Sequence, residues 1–591
     1  MARFKNKSTL ILIAILAIAT LLRFVNLSRV PVSLFGDELD VGYHAYSILK
    51  TGKDYVGNPW PLHFQSLAEY RTPLYLYSVV PTVALFGISP LGVRLPAAIF
   101  GVLSIYVFYL LIRKLLKRDD IALIAAAVMT FSPWHIQYSR AAFEVTQLLF
   151  VVLLGFYAFF LSIEKKDNNK YLWISTLSFG LAPWVYSTGK LFVPMIFVVL
   201  FVLWFKQIVR VDRKSLIIAL VMILVTAIPM VYVTLNGQSS QRFGYISVFT
   251  DPVVEPDIGF ARDSDILITG DETSFGAIGR RIFHNKYLYW GQKITSNFLK
   301  TYSTDFLFIT GDKNLRHSID GMGQLYRVEF IPLLIGLGYF FVKLKDKKVK
   351  VFVLSWFILG TIPSAITRDG GDHATRLIIL LPIFVLIIAI GLHALYKHVI
   401  KNKLFSKAVI LIYGGVFVLS FVLYQHNYWI HNPLISERWW HGGFSEAIQA
   451  VKDVQADYDT VYISNAGEPP WIFFAAWYEY PPAKWQTEYP VEAHMDTGIP
   501  FEEVTYIDKF RFGQVSKIGI YALGQYIDNK TLYLASAREV GNDLIQNPGA
   551  TPANLELIKA VAYKDGLPAF YLFKGTNDKP QKDAFAQTPQ E

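Results

Sequence analysis

The 591-residue sequence contains no cysteine, which excludes disulfide bonds and cysteine-ligated metal sites. Charged residues are also scarce, at 17% of the chain, compared with about 25% in soluble globular proteins. No P-loop and no glycine fingerprint of a dinucleotide-binding fold occurs along the sequence. These absences exclude one ordinary soluble domain and argue against a nucleotide-dependent enzyme.

Hydrophobic residues, in contrast, make up 53% of the chain. Long stretches are almost free of charge, and with their flanks several approach the roughly 20 apolar residues that cross a bilayer. Four such stretches are 10–19, 121–129, 148–161 and 378–390. The composition therefore predicts a predominantly α, polytopic membrane protein.

The net charge of +10 comes largely from basic clusters beside apolar segments, which the enrichment of Lys and Arg in cytoplasmic loops explains better than nucleic-acid binding. Six clusters are predicted to be cytoplasmic: 3–7, 113–118, 165–170, 206–214, 343–350 and 397–407. Eleven crossings follow, with the N-terminus inside and the C-terminus outside: 8–25, 95–113, 121–137, 143–163, 171–186, 190–205, 215–234, 329–343, 351–366, 376–396 and 408–426.

Two apolar segments need a separate interpretation. The run 8–25 follows basic residues as a signal peptide would, but no small-residue cleavage site follows it, so it is predicted to be the first transmembrane helix. The segment 73–87 is apolar but only about fifteen residues long, and counting it as a crossing would place several basic clusters outside. It is therefore predicted to be a re-entrant or juxtamembrane helix.

The polar parts of the chain divide it into domains. Residues 1–430 are predicted to form a transmembrane module with two long outer loops, 26–72 and 236–327. Residues 431–577 alternate a helical stretch over 444–454 with β-rich runs at 460–464, 532–535 and 569–573, which predicts a small exoplasmic α/β domain. The polar residues 578–591 are predicted to be disordered.

The first outer loop contains an acidic motif, Phe35-Gly36-Asp37-Glu38-Leu39-Asp40. Acids so close to a bilayer are costly unless they are used or paired. A carboxylate here could take a proton from an acceptor hydroxyl or hold a metal. Alternatively, the acids cap a helix predicted over 41–49, where acids in the first turn are favourable. The two interpretations are compatible.

Further motifs follow in order: Arg71-Thr72-Pro73-Leu74-Tyr75, then the turn Phe86-Gly87, then Arg94-Leu95-Pro96. With the acidic pair, they make residues 8–425 resemble the GT-C glycosyltransferases of the protein mannosyltransferase and aminoarabinose transferase type, glycosyltransferase family 39. Thr72-Pro73 replaces the usual Pro-Pro of that family. The resemblance implies that Asp37 activates the acceptor and that Glu38 supports it.

Departure of a polyprenyl phosphate would place negative charge at the membrane surface, where fixed cations stabilise it. Few cations are expected at outer helix ends, so those that occur there are informative, although each could also be a snorkelling side chain. The predicted donor phosphate-binding residues are Arg71, Arg140, Lys190, His373 and Arg376.

The second outer loop interleaves aromatic, glycine and charged residues over 302–326, which favours a segment lying over a membrane-level cavity. The bland alternative is a packed connector with turns at its glycines. Outer-loop substrate contacts are predicted at Glu144, Asp312, Arg316 and His317. No metal site and no cofactor are predicted, because the twelve histidines are scattered and Asp37 with Glu38 offers too few ligands.

The predicted function is an inverting transfer of a sugar from a polyprenyl-phosphate carrier to an exoplasmic acceptor, in a plasma membrane enzyme that binds no nucleic acid. One rival is an oligosaccharyltransferase-like enzyme, which would need a divalent metal. The other is a transporter or flippase, which should show charged or broken helices near mid-membrane. The acids and special loops of this chain lie outside the apolar segments instead.

Overall fold

The computed structural model describes residues 2–66, 70–164, 169–236, 241–399, 403–464, 469–488, 506–513, 519–578 and 580. Each of the eleven predicted crossings coincides with helix in the structure. Within these described residues, seven helices are long and apolar enough to cross a membrane: Lys7–Phe24, Pro90–Leu116, Glu144–Ser162, Ser187–Ile208, Arg213–Leu235, Lys347–Ala365 and Ala374–Lys397. The prediction of a predominantly helical, multi-pass membrane protein is confirmed.

Of the other four predicted crossings, the first carries a break, the next two are shorter helices and the last is a helix of 24 residues. They are Asp119–Phe131 with Pro133–Ser139, Asn169–Leu181, Phe330–Lys343 and Lys403–His426. The segment predicted over 121–137 breaks at Ser132, whose side chain accepts a hydrogen bond from the His135 backbone N–H. Pro133 supplies the physical reason, because it has no N–H and disfavours helical backbone at the residue before it.

The segment 73–87 forms the apolar helix Pro73–Phe86. At 14 residues it is shorter than a full crossing. This length fits the re-entrant or juxtamembrane interpretation, which stays a prediction.

Residues 236–327 are not a structureless loop. They contain the helices Gln241–Ile246, Val254–Thr269, Ser274–Phe283 and Lys286–Lys300, followed by a π-helical turn at Asp305–Ile309. Backbone hydrogen bonds from Gln324 to Phe306 and from Leu325 to Leu307 then fold the end of the segment back on this turn. The part predicted over 302–326 is therefore packed and ordered.

The chain forms two compact units. The first unit comprises Met1–Val25, Glu69–Tyr75 and Pro96–Tyr428, and the second comprises Asn26–Ala68, Leu76–Leu95 and Trp429–Glu591. The residues of the acidic motif thus belong to the same unit as the C-terminal residues, a grouping that nothing in the sequence indicated.

A mixed six-stranded sheet lies in the second unit. With strands numbered along the chain, the first two are β1 (Phe64–Gln65) and β2 (Tyr70–Arg71), and the sheet itself is formed by β3 (Thr460–Ile463), β4 (Tyr506–Ile507), β5 (Phe510–Phe512), β6 (Thr531–Ser536), β7 (Leu555–Ala562) and β8 (Pro568–Gly575). Their order is β4-β5-β3-β6-β8-β7. Strand β3 is parallel to both its neighbours, β5 and β6. Strand β8 is antiparallel to both its neighbours, β6 and β7. Every residue of β6 is buried, as expected for a strand covered on both faces.

Helices accompany this sheet. The helix Phe444–Val454 has the bounds that the sequence predicts, and further helices are Asn432–Ile435, Pro470–Tyr478, Pro482–Glu488, Ile520–Leu523 and Ala537–Val540. The α/β character predicted for this part of the chain is confirmed. Of the tail predicted to be disordered, all but Asp578 and Pro580 lies outside the described residues.

Close helix packing in the first unit depends on glycine. Helix Phe330–Lys343 packs against Leu381–Val399, the most buried of the long helices. A Cβ added at Gly336 would lie 1.9 Å from the Ile387 carbonyl oxygen, and one added at Gly391 would lie 1.8 Å from the Pro332 carbonyl oxygen. The two backbones can approach this closely only where the side chain is a hydrogen atom.

We therefore expect Gly336→Ala to destabilise the protein by about 1–3 kcal/mol, as overpacking in a tight core does. Gly338 is the matched control, because it lies on the same helix with nothing within 4 Å of an added Cβ. Thermal unfolding in detergent should show a lower Tm for Gly336→Ala and an unchanged or higher Tm for Gly338→Ala, since alanine favours helix. Equal effects of the two substitutions would contradict this packing.

Candidate active-site groups

The acidic motif opens a helix over Gly36–Thr51. The helix begins five residues before the predicted start at Val41, because Phe35 has the extended backbone of an N-cap. Asp37 and Glu38 lie in the first turn, where acids interact favourably with the helix dipole. The helix packs within the second unit against Pro470–Tyr478 and Pro482–Glu488, and the hydroxyl of Tyr43 donates to the carbonyl oxygen of Tyr480 at 2.9 Å.

Glu38 is fully buried in a two-point ion pair with Arg94. The guanidinium Nε lies 2.8 Å from one carboxylate oxygen, and Nη2 lies 2.7 Å from the other. Arg94 also donates to the carbonyl oxygens of Pro31 and Ser33 and lies 5.4 Å from the ring of Trp440. Such a bidentate, buried pair fixes the start of the helix.

Asp40 is also buried. It accepts hydrogen bonds from the hydroxyls of Tyr55 at 2.7 Å and Ser66 at 2.6 Å. His44, one turn later, stacks on the Tyr55 ring at 3.8 Å and contacts the Gln65 carbonyl oxygen at 3.0 Å. This polar network holds 53–66 against the helix, and nothing in the sequence indicated it beyond the third acid of the motif.

Asp37 differs from its neighbours because its side chain is exposed. The backbone N–H of Gly36 donates to His441 Nδ1 at 3.3 Å, which anchors the turn that carries Asp37. Of the three acids, two are buried in internal contacts and one faces outward on an anchored helix start.

Two predicted site residues of the first unit bind each other. Arg71 Nη1 lies 3.2 Å from a carboxylate oxygen of Glu144, at the start of helix Glu144–Ser162. Next to it, the Thr72 hydroxyl donates to the carbonyl oxygen of Val185 at 2.7 Å. Arg71 is buried, and its ion pair neutralises the charge of Glu144 inside the first unit.

Arg140 is fully buried. Its guanidinium donates to the carbonyl oxygens of Leu22 and Val25 at 3.0 and 2.9 Å and to the Tyr428 hydroxyl at 2.9 Å. These are the carbonyl groups at the end of the first helix, Ala2–Phe24, which lack partners within the helix. These contacts are those of a cation that caps a helix end, and the phosphate-binding role of Arg140 stays a prediction.

Lys190 and Arg376 line one cavity of ≈ 220 Å³ in the first unit. Arg376 is held by Asp369 at 2.6 Å and by the Thr367 hydroxyl at 2.7 Å. Lys190 lies in the first turns of helix Ser187–Ile208. A Cβ added at the preceding Gly189 would lie 2.6 Å from the Ala182 carbonyl oxygen, so the glycine lets this helix start tightly against the preceding turn.

A larger, apolar cavity of ≈ 610 Å³ shares Lys190, Leu191 and Thr234 with the first. Its walls are the helices Asn169–Leu181, Ser187–Ile208 and Arg213–Leu235. Beyond the cavity the last two helices expose large apolar side chains, such as Val198, Val202 and Val225, as helices facing lipid do. The larger cavity thus forms an apolar crevice, and the smaller cavity at its end is lined by Lys190 and Arg376.

The remaining predicted residues come together in the first unit. Asp312 and His317 form a pair in which His317 Nδ1 lies 2.9 Å from a carboxylate oxygen. The ring of His373 lies 5.0 Å from that of His317. Burial alone would raise the pKa of Asp312, but the hydrogen bond from His317 and the charges of His317 and His373 hold it below its usual value. Arg316 contributes its carbonyl oxygen, which accepts from Gln137 Nε2 at 2.7 Å.

Comparison with known proteins identifies part of this chain. Residues 70–232 match the family model described as dolichyl-phosphate-mannose-protein mannosyltransferase. A relative from Pyrococcus furiosus, dolichyl-phosphooligosaccharide-protein glycotransferase 2, is 31% identical over 185 residues. That match covers 29% of this chain and 24% of the relative, so the chain spans about a quarter of the length of the curated relative it matches.

The fold is similar to that of ArnT from Cupriavidus metallidurans. The structure of ArnT bound to undecaprenyl phosphate matches with a TM-score of 0.52 at 12% identity, over 96% of this chain and 99% of ArnT. Its apo state matches with a TM-score of 0.51 at 12% identity, over 95% and 97% of the two chains.

The family match covers the segment that carries the Pro-Leu-Tyr and Arg-Leu-Pro motifs, and the fold likeness extends over nearly the whole chain. Residues 70–232 are therefore similar to the protein mannosyltransferase family, and the chain as a whole shares the fold of ArnT.

Proposed function

We propose that this protein is an inverting glycosyltransferase that moves a sugar from a polyprenyl-phosphate carrier to an acceptor hydroxyl. The observation that carries the proposal is the apolar crevice that ends at Lys190 and Arg376. A polyprenyl phosphate is itself a long apolar chain with an anionic end, so its two parts match the two parts of this crevice. ArnT, whose fold this chain shares, has been crystallised with undecaprenyl phosphate.

At the carrier end, the two cations act on the phosphate. Asp369 and Thr367 hold the Arg376 guanidinium in a fixed orientation, and a guanidinium can bond two phosphate oxygens at once. Lys190 adds a positive charge on the same cavity. Charges fixed before the reaction stabilise the negative charge that develops on the departing phosphate.

At the acceptor end, Asp37 is the proposed general base. Its exposure supports this role, as does the burial of Glu38 and Asp40 in contacts that leave them unavailable to substrate. Glu38 keeps the supporting role through its pair with Arg94, which fixes the helix start that presents Asp37.

The proposed reaction is a single displacement. The acceptor oxygen forms a bond to the anomeric carbon while the bond from that carbon to the phosphate oxygen breaks, and the phosphate leaves with the electron pair. The acceptor proton passes to Asp37. Attack opposite the leaving group inverts the configuration at the anomeric carbon.

The proposed location follows from the positive-inside rule. The N-terminus lies in the cytoplasm of the cell, and the acidic motif, the segment 236–327 and the C-terminal sheet lie on the exoplasmic side of the plasma membrane. The acceptor is then a protein, a lipid or a cell-envelope glycan, which the C-terminal residues 431–577 bind or orient.

The test of the base is transfer of radiolabelled sugar, with membranes containing the protein and a panel of polyprenyl-phosphate sugars. Asp37→Asn should reduce transfer about 10²–10⁴-fold, the range for loss of a general base, and should lower Tm only slightly, because Asp37 is exposed and its charge interacts with the helix dipole. Transfer that survives in Asp37→Asn would mean that Asp37 is not the base and that it only stabilises the first turn of the helix.

Glu38→Gln is the matched control for this experiment. It removes the charge of the neighbouring acid and should lower Tm, because Arg94 then stays buried with an unneutralised charge. A loss of activity in Glu38→Gln without a lower Tm would show that Glu38, and not Asp37, is the catalytic acid.

The test of the carrier end uses Lys190→Gln and Arg376→Gln. Each should lower kcat/KM for the lipid-linked donor about ten- to hundredfold, as expected for one charge-assisted hydrogen bond. Lys214→Gln is the control, because Lys214 is exposed at the first turn of helix Arg213–Leu235 and lines neither cavity. Equal losses in all three variants would contradict a phosphate site at Lys190 and Arg376.

The same donor panel separates the rival functions. Transfer from a lipid-linked oligosaccharide alone would favour the oligosaccharyltransferase-like function, to which the Pyrococcus furiosus relative points by its name. Movement of a lipid-linked sugar across the membrane of sealed vesicles, without transfer of the sugar from any donor, would favour a flippase.

A further inference from the structure

Three side chains with metal-binding atoms meet in the first unit. Asp312, His317 and His373 each offer one ligand atom, and these atoms lie within 4.8 Å of one another. The closest pair, His317 Nδ1 and Asp312 Oδ2, is 2.9 Å apart. Two ligand atoms bound to one zinc ion are themselves separated by about 3–3.5 Å, given Zn–N and Zn–O distances of about 2.0–2.2 Å. The ligand atoms would therefore have to approach one another by about 1 Å for all three to bind one ion.

The three residues come from two separate parts of the chain, and a backbone N–H of one part donates a hydrogen bond to a side chain of the other. The Ala374 N–H donates to Asp312 Oδ2 at 2.9 Å, and the Asn314 N–H donates to Asp312 Oδ1 at the same distance. These bonds fix the carboxylate beside His373, the residue that precedes Ala374. Metal-ligating carboxylates are commonly held by outer hydrogen bonds of this kind.

Aromatic side chains pack against the ring of His317 and restrict it. Tyr138 stacks on His317 with ring centres 6.2 Å apart, and Phe143 meets it edge-on at 5.6 Å. The side chains of Asp312, His317 and His373 are only 10%, 12% and 16% exposed. The ligand atoms are thus close together, nearly buried and restrained, which separates this cluster from an ordinary surface pair.

We propose that Asp312, His317 and His373 bind one divalent transition-metal ion of the zinc class. Two imidazoles and one carboxylate are the ligands that zinc accepts in sites with three protein ligands, where a water completes the tetrahedron. Calcium and magnesium prefer sets made of oxygen atoms alone. On binding, the ion displaces the proton that His317 and Asp312 share.

The ion ties the segment 305–326 to the segment 367–376. Asp369 contacts both His373, at 3.8 Å, and Arg376, at 2.6 Å. A metal at His373 therefore fixes the short segment that also carries a cation of the cavity. The site goes beyond the proposed transfer reaction, and its test measures binding without turnover.

The first experiment measures zinc bound to the purified full-length protein in detergent. After zinc is added and the sample is dialysed against zinc-free buffer, the wild type should retain one zinc per chain by elemental analysis. His317→Ala and His373→Ala should lose it. His284→Ala is the matched control, because His284 also pairs with an acid, Asp265 at 2.8 Å, but belongs to no three-ligand group in the described part of the chain.

A second variant identifies the ligand even if an alanine substitution disturbs folding. The chain has no cysteine, so His373→Cys introduces a single thiol. Cobalt(II), which replaces zinc in tetrahedral sites, should then give a thiolate-to-cobalt charge-transfer band in the near ultraviolet. The corresponding substitution His284→Cys should give none.

The proposal is overturned if the wild type retains no zinc after dialysis, or if both alanine variants keep the zinc. Loss of zinc in His284→Ala as well would make the binding non-specific and overturn it too. Absence of the charge-transfer band in a folded His373→Cys protein would remove His373 from the ligand set. Each of these results leaves the sugar-transfer test unaffected.

Discussion

Hydrocarbon offers no hydrogen-bond partners, so a chain that crosses it must satisfy its backbone within helices and must pair every buried charge inside the protein. This constraint explains where the charged residues of the motifs lie. Arg140 caps the carbonyl groups at the end of the first helix, Arg71 neutralises Glu144, and Arg94 neutralises Glu38. Most of the conspicuous charges are thus committed to holding the fold.

The charges that remain for chemistry are those whose contacts still leave a face toward solvent or a cavity. Asp37 is exposed on an anchored helix start, and Lys190 and Arg376 line a cavity beside an apolar crevice. Asp312, His317 and His373 form a compact third group. A fixed environment for each group reduces the reorganisation that a reaction or a bound ion would otherwise require.

The sequence could predict the helical crossings because a membrane span needs only length and low charge, which are local properties. It could also predict the bounds of Phe444–Val454, whose apolar positions recur with helical spacing. It missed the break at Ser132, although Pro133 was visible, because the apolar pattern continues through the break. It also placed the start of the acidic helix too late, since the N-cap at Phe35 carries none of the usual capping side chains.

By itself, then, the sequence determined the class of the protein, a predominantly helical multi-pass membrane protein with a C-terminal α/β part. Only the tertiary structure decided which distant residues contact one another, because partners such as Glu38 and Arg94, or Asp312 and His373, are separated by more than fifty residues along the chain. Composition and spacing report on neighbours within a helix or strand. Burial and ion pairing between distant residues arise only when the chain packs, and these contacts separate a structural arginine such as Arg140 from a cavity-lining one such as Arg376.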